Sequence, residues 1–197
     1  MKILFVHQAL PCQFMHVIPA LIARGHDCLG LTVSSHPGRF TFPVQGYDYT
    51  PPVLDNVTSR VGWNYAEKSE RGAAAARTAA RLRDTQGYYP DVIFGHSGFG
   101  ETLFLKEVWP KAKLLVYPEF FYNSKGLDSG FDPEFGEPTL ESGIIARAMS
   151  APLAQAMLYA DAALLPTRWQ AATLWLAMSK PMVRSCLPNS TTRGRPT

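Results

Sequence analysis

The sequence predicts an α/β fold, a single doubly wound and mainly parallel sheet. Three observations carry this. Short apolar runs stand at residues 3–6, 28–33, 92–94, 114–117 and 162–165. Longer stretches of helical periodicity separate them, and Gly or Pro punctuates the boundaries. The composition agrees: 197 residues, 46% hydrophobic and 18% charged, suit one domain with a sizeable core.

In chain order, residues 3–6 read as a buried strand. A loop over 8–12 leads into a helix over 13–24, whose Phe14, Val17, Ile18, Leu21 and Ile22 share one face. Gly25 ends it, and residues 28–33 form the second strand of a βαβ unit. Such crossovers are right-handed, so the sheet is parallel. Residues 34–60 read as loop with a short strand near 47–50. A helix over 67–86 carries Arg71, Arg77, Arg81 and Arg83 as a solvated face. Val92-Ile93-Phe94 is a strand, followed by a glycine turn and a helix start near Thr102. Residues 114–117 form the next strand, and 120–138 a long aromatic and acidic loop. A helix covers 140–159, with Pro152 able to kink it. A strand at 162–165 and a helix over 168–178, capped by Thr167, complete the Rossmann-like alternation. Residues 1–180 form the domain. Residues 181–197 read as a polar, disordered tail.

The charge is only +3, with Arg184, Arg193 and Arg195 its clearest cluster, so no dense basic face for nucleic acid is present. Cys12, Cys28 and Cys186 lack disulfide or zinc spacing, which favours a reducing compartment. No segment reads as a signal peptide or membrane span, and the cytoplasm is the default.

The segment DVIFGHSGFGET, residues 91–102, carries the strongest chemical signal. His96 falls at the carboxyl end of a strand, where open α/β sheets bind ligands. Gly98 and Gly100 allow close backbone approach, and the following helix would favour an anion. A tight turn with a hydrogen-bonded histidine remains the alternative. The loop after the first strand, His7 to Phe14, contains no glycine, which excludes a dinucleotide fingerprint or P-loop. His7 and Gln8 there are strand-end caps or ligand contacts. Glu119 follows a strand and a proline, near His96. It could orient a sugar hydroxyl or hold the histidine, or simply pair with Lys125 or Arg39. Phe120, Phe121, Tyr122, Phe131 and Phe135 form a sugar platform or a self-packed loop. A hydrolase using His96 and Glu119 lacks an obvious nucleophile.

Four segments, MKILFVHQALPCQF…ALIARGHD, PDVIFGHSGFGETLFLKEVWP, YPEFFY…GFDPEF and ADAALLPTRWQ, together resemble the N-terminal domain of family-4 glycosyltransferases. The match runs from Met1 to about Gln170. These are retaining enzymes with two Rossmann-like domains across a cleft, the GT-B architecture. The resemblance implies that His96 lies near the transferred sugar as the catalytic-edge residue, with Gln8, Gly98 and Glu119 as substrate-binding candidates. Pro11 and Cys12 occupy the position of a turn that contacts the donor diphosphate, normally through glycine; Cys12 stands where that glycine would be. It further implies a nucleotide-sugar donor, a glycan or small-molecule acceptor, no required metal and at most peripheral membrane contact. The family's second domain supplies two glutamates with seven residues between them, a spacing that no Glu pair here has. The expectation is therefore an acceptor-side half, inactive alone, whose C-terminal donor domain is missing or on a separate chain. A non-catalytic glycan-binding or partner module is the alternative.

Overall fold

The computed structural model describes residues 1–34, 40–53, 59–119, 121–123, 125–126, 130, 132, 134, 136–178 and 183–185. Expectations for Arg39, Phe120, Phe131, Phe135 and residues 186–197 lie outside these.

Seven parallel strands form one sheet: β1 (Lys2–Val6), β2 (Asp27–Val33), β3 (Val44–Tyr47), β4 (Val92–His96), β5 (Lys113–Tyr117), β6 (Ala162–Leu165) and β7 (Val183–Ser185). Their order is β3-β2-β1-β4-β5-β6-β7. The α/β, doubly wound, Rossmann-like class read from the sequence is the one observed. The chain builds outward from β1 in one direction, then returns to build from β4 in the other. The β1/β4 junction is thus the topological switch point, where sheets of this kind leave a crevice at their carboxyl ends.

Strand alternation feeds two cores. Leu4, Val6, Ile93, Leu114, Val116, Ala163 and Leu165 face the layer that contains α2 (Arg60–Gln86), α3 (Leu105–Val108), α4 (Leu140–Tyr159) and α5 (Arg168–Met178). Ile3, Phe5 and Phe94 face the opposite layer, with Phe14 and with Ile18 of α1 (Val17–Ile22). Each fully buried Leu, Ile or Phe contributes roughly 1.5–3 kcal/mol, so both layers hold the sheet. At the amino ends of the strands, Asp161 accepts from Lys106, Lys113 and the Leu114 amide, fastening β5 to the start of β6.

Four local departures have physical causes. The helix expected over 13–24 splits into a 3-10 turn (Cys12–Phe14) and α1. Pro19 has no N–H for the Met15 carbonyl, so the ladder cannot run through. α2 starts at Arg60, seven residues earlier than expected, because the Ser59 side chain caps it by accepting from the Gly62 amide. Arg71 is not on a solvated face: its side chain is 13% exposed and bound to Glu67. Finally, Val183–Ser185 pairs in parallel with β6, so the sheet continues past residue 180. Pro152 sits inside α4 and the helix runs through it.

Candidate functional site at the switch point

β1 and β4 pair with Val6 opposite Gly95, so the strand-end histidines His7 and His96 emerge side by side. Each is 2% exposed. Their rings meet edge to face at 5.2 Å, and Phe99 stacks on His96 with centroids 4.8 Å apart while presenting an edge contact to His7. Lys68 of α2 lies 5.4 Å from the Phe99 ring centre.

Both histidines are fixed by the same device. Nδ1 of His7 accepts from the Ala9 amide at 2.9 Å, and Nδ1 of His96 accepts from the Gly98 amide at 3.1 Å. A neutral His96 therefore carries its proton on Nε2. Burial holds the ring below the ordinary histidine range, opposed by the Glu119 carboxylate and assisted by Lys68. Nε2 points at Glu119, 3.6 Å from Oε1. Gly98 is required here because a Cβ would lie 2.8 Å from His96 Cε1.

Glu119 has φ +55, a left-handed backbone that costs a residue with a side chain on the order of 1–2 kcal/mol. That conformation returns the carboxylate toward the switch point, where it also accepts from Gln13 Nε2 at 3.2 Å. Backbone strain of this kind concentrates at functional sites. His96, Gly98, Phe99, Pro118, Glu119, Tyr122 and Leu153 line one small cleft. Of the aromatic set, Tyr122 therefore reaches the site.

Gln8 does not face this cleft directly. Its side-chain oxygen accepts from Arg71 Nη1 on α2, and its carbonyl accepts from Thr32 at 3.0 Å. Pro11 precedes the 3-10 segment and Cys12 opens it. Cys12 is exposed and has φ +37, a region that favours glycine. Cys12→Gly is expected to raise the thermal midpoint slightly, since about 1–2 kcal/mol of strain exceeds the roughly 0.5–1 kcal/mol of added unfolded-state freedom. Cys12→Ala should give no such gain in the same melting experiment.

The helix expected to begin near Thr102 does not. Gly100, at φ +101, breaks helical geometry, residues 101–104 form turns, and α3 starts only at Leu105 and is four residues long. The helix that follows His96 therefore does not begin at the glycine turn. Among the described residues no group of three His, Cys, Asp or Glu side chains is arranged to hold a metal, and no helix is long and apolar enough to cross a membrane.

Two participants were missed from the sequence. Gln13 bridges to Glu119 across 106 residues, and Glu101 is wholly buried beneath the turn. Only the position of Glu101 inside the glycine-rich segment marked it.

The glycosyl transferase family 4 group profile matches residues 24–180. The chain belongs to that family. No curated protein matches the sequence significantly. Among solved structures, a protein described as a UDP-N-acetylglucosamine 2-epimerase from Listeria monocytogenes is 10% identical, with a TM-score of 0.56, covering 92% of this chain and 44% of its own. The catalytic domain of Starch Synthase IV from Arabidopsis thaliana is 11% identical, with a TM-score of 0.53, covering 93% and 50%. Os79 from O. sativa is 11% identical, with a TM-score of 0.53, covering 94% and 52%. At these identities the likeness is one of fold, shared by proteins with different activities. The family 4 chain spans about half the length of these three structures.

Proposed function

We propose that this family 4 chain forms the acceptor-side wall of a glycosyltransferase. The enzyme moves a sugar from a nucleotide-diphosphate donor to an acceptor hydroxyl, with retention, in glycan or polysaccharide synthesis. The observation that carries it is the His96–Glu119 pair, a neutral N–H donor and a carboxylate facing one cleft at the switch point. A sugar hydroxyl can accept from the first and donate to the second. Two structures of like fold support the reading: Starch Synthase IV is bound to ADP and acarbose, and Os79 is in complex with U2F and trichothecene.

In this scheme Gly98 serves by admitting the His96 ring, and Glu119 orients the hydroxyl. The Pro11–Cys12 turn faces the donor diphosphate, and Gln8, held by Arg71, shapes the floor beside it. Fixed hydrogen-bond donors stabilise the charge developing on the departing diphosphate, without a required metal or organic cofactor. Most of those donors would sit on a second domain, so the chain alone would turn over little. The cytoplasm, with at most peripheral membrane contact, is the proposed location.

Two measurements test this. The purified chain, given a panel of nucleotide sugars and acceptors, should show little transfer; robust turnover would overturn the half-enzyme reading. In the form completed by its donor domain, His96→Ala should lower kcat on the order of 10²-fold. An unchanged kcat would remove His96 from the site.

A non-catalytic glycan-binding or partner module is the second reading, since the fold is shared by proteins with different activities. Stable co-purification with a separate catalytic chain, with no effect of His96→Ala on that chain's kcat, would support it.

A further inference from the structure

His96 depends on a turn whose far end is anchored by a residue that a stable core would not choose. Glu101 is fully buried, and its Oε1 accepts from the Tyr47 hydroxyl at 2.8 Å. Among the described residues its Oε2 has no hydrogen-bond partner. A leucine or methionine would fill such a position without the cost of taking a carboxyl group out of water. Residues that break a local stability rule cluster where geometry has to be held.

The geometry shows what is held. Four residues separate Glu101 from the last strand position, and each is constrained. The Ser97 amide donates to the Tyr117 carbonyl at 3.3 Å, Gly98 donates to His96, Phe99 stacks on the His96 ring, and Gly100 is pressed against the backbone of Lys68. Glu101 then locks the turn to β3 through Tyr47. The charged and titratable groups facing it are Tyr47 from β3 and Arg71 and Lys68 from α2. Burial raises its carboxyl well above the usual range, more than its hydrogen bonds and the two cations lower it. Burial and the Glu101 carboxyl raise the Tyr47 phenol in turn. Arg71 carries the same framework on to Gln8 and the loop after β1.

We propose that Glu101 is a positioning residue for His96, anchoring the turn whose Gly98 amide selects the Nε2–H tautomer. It touches no substrate and acts through residues 97–100. The test reads the imidazole itself, so it is independent of whether the cleft binds a sugar. In the full chain, nitrogen and proton NMR of His96 should show one Nε2–H tautomer and a titration below that of an ordinary histidine. Glu101→Gln, which keeps an acceptor for Tyr47, should preserve both signatures. Glu101→Leu, which keeps the volume, should shift the titration upward and mix the tautomers while circular dichroism shows the fold retained. If Glu101→Leu fails to fold, Tyr47→Phe decides instead: it removes the donor to Glu101 and should move the His96 signals in the same direction. His96 signals unchanged in the folded variant, Glu101→Leu or failing that Tyr47→Phe, would overturn the proposal and leave Glu101 as a structural residue only.

Discussion

Gly100→Ala is expected to destabilise the protein by about 3 kcal/mol or more, lowering the thermal midpoint by roughly 6–12 °C. The added Cβ would lie 2.1 Å from the Lys68 carbonyl oxygen and 2.8 Å from its carbon. Both are backbone atoms of the 27-residue α2, so relief requires the helix or the turn to shift as a body. The left-handed φ of +101 adds its own penalty. Gly25→Ala is the matched control. Its φ is +79, but no atom lies within 4 Å of the added carbon, so only the conformational cost of about 1 kcal/mol applies. Equal losses in thermal melts of the two variants would show that the approach of the turn to α2 is not what demands Gly100. A loss confined to Gly100→Ala should also displace the His96 turn, since both ends of residues 97–100 are tied down.

The dependence of stability on pH should have two sides, with Glu101 contributing to one and Asp161 to the other. Burial raises the Glu101 carboxyl in the folded state. Its contribution is therefore fully present below the unfolded glutamate value, about 4.3, and is lost as pH rises through the folded value. Asp161 is the opposite case. Its burial would raise it, but Lys113, the Leu114 amide and Lys106 together hold it well below the usual carboxylate range. Its contribution is present above the unfolded aspartate value, about 3.9, and is lost as pH falls. Urea midpoints measured between about pH 2 and 8 should show both slopes. Glu101→Gln should flatten the decline on the rising side and leave the acid side intact. Asp161→Asn should do the reverse. A Glu101→Gln profile parallel to that of the unsubstituted chain at every pH would show that Glu101 is not held neutral.

The two predictions differ in how visible their residues were in the sequence. Gly100 stands in a segment whose glycines and strand-end histidine already marked a tight turn, because strand, turn and histidine are neighbours in the chain. Nothing local identified Asp161 as the partner of Lys106 and Lys113, which lie 55 and 48 residues away. The same divide runs through the site. His96 and Glu119 were readable because each follows an apolar strand, and strand ends point to the crevice. The Gln13–Glu119 contact was not, since it depends on β1, β4 and β5 standing in that lateral order. Arg71 was misread for a related reason. Its place among other arginines on an alanine-rich helix suggests solvent; Glu67 is its neighbour one helical turn away, but Gln8 reaches it only after α2 packs across the strand ends.

By itself, the sequence determined the strand and helix alternation, the parallel sheet and the strand-end position of His96. All of these follow from hydrophobic period and turn chemistry over short stretches of chain. Tertiary structure alone decided the contact between the His7 and His96 rings, the Gln13–Glu119 hydrogen bond and the burial of Glu101. Each arises where segments distant in sequence press together, and the energies that select them, steric contact and desolvation, do not exist until those segments meet.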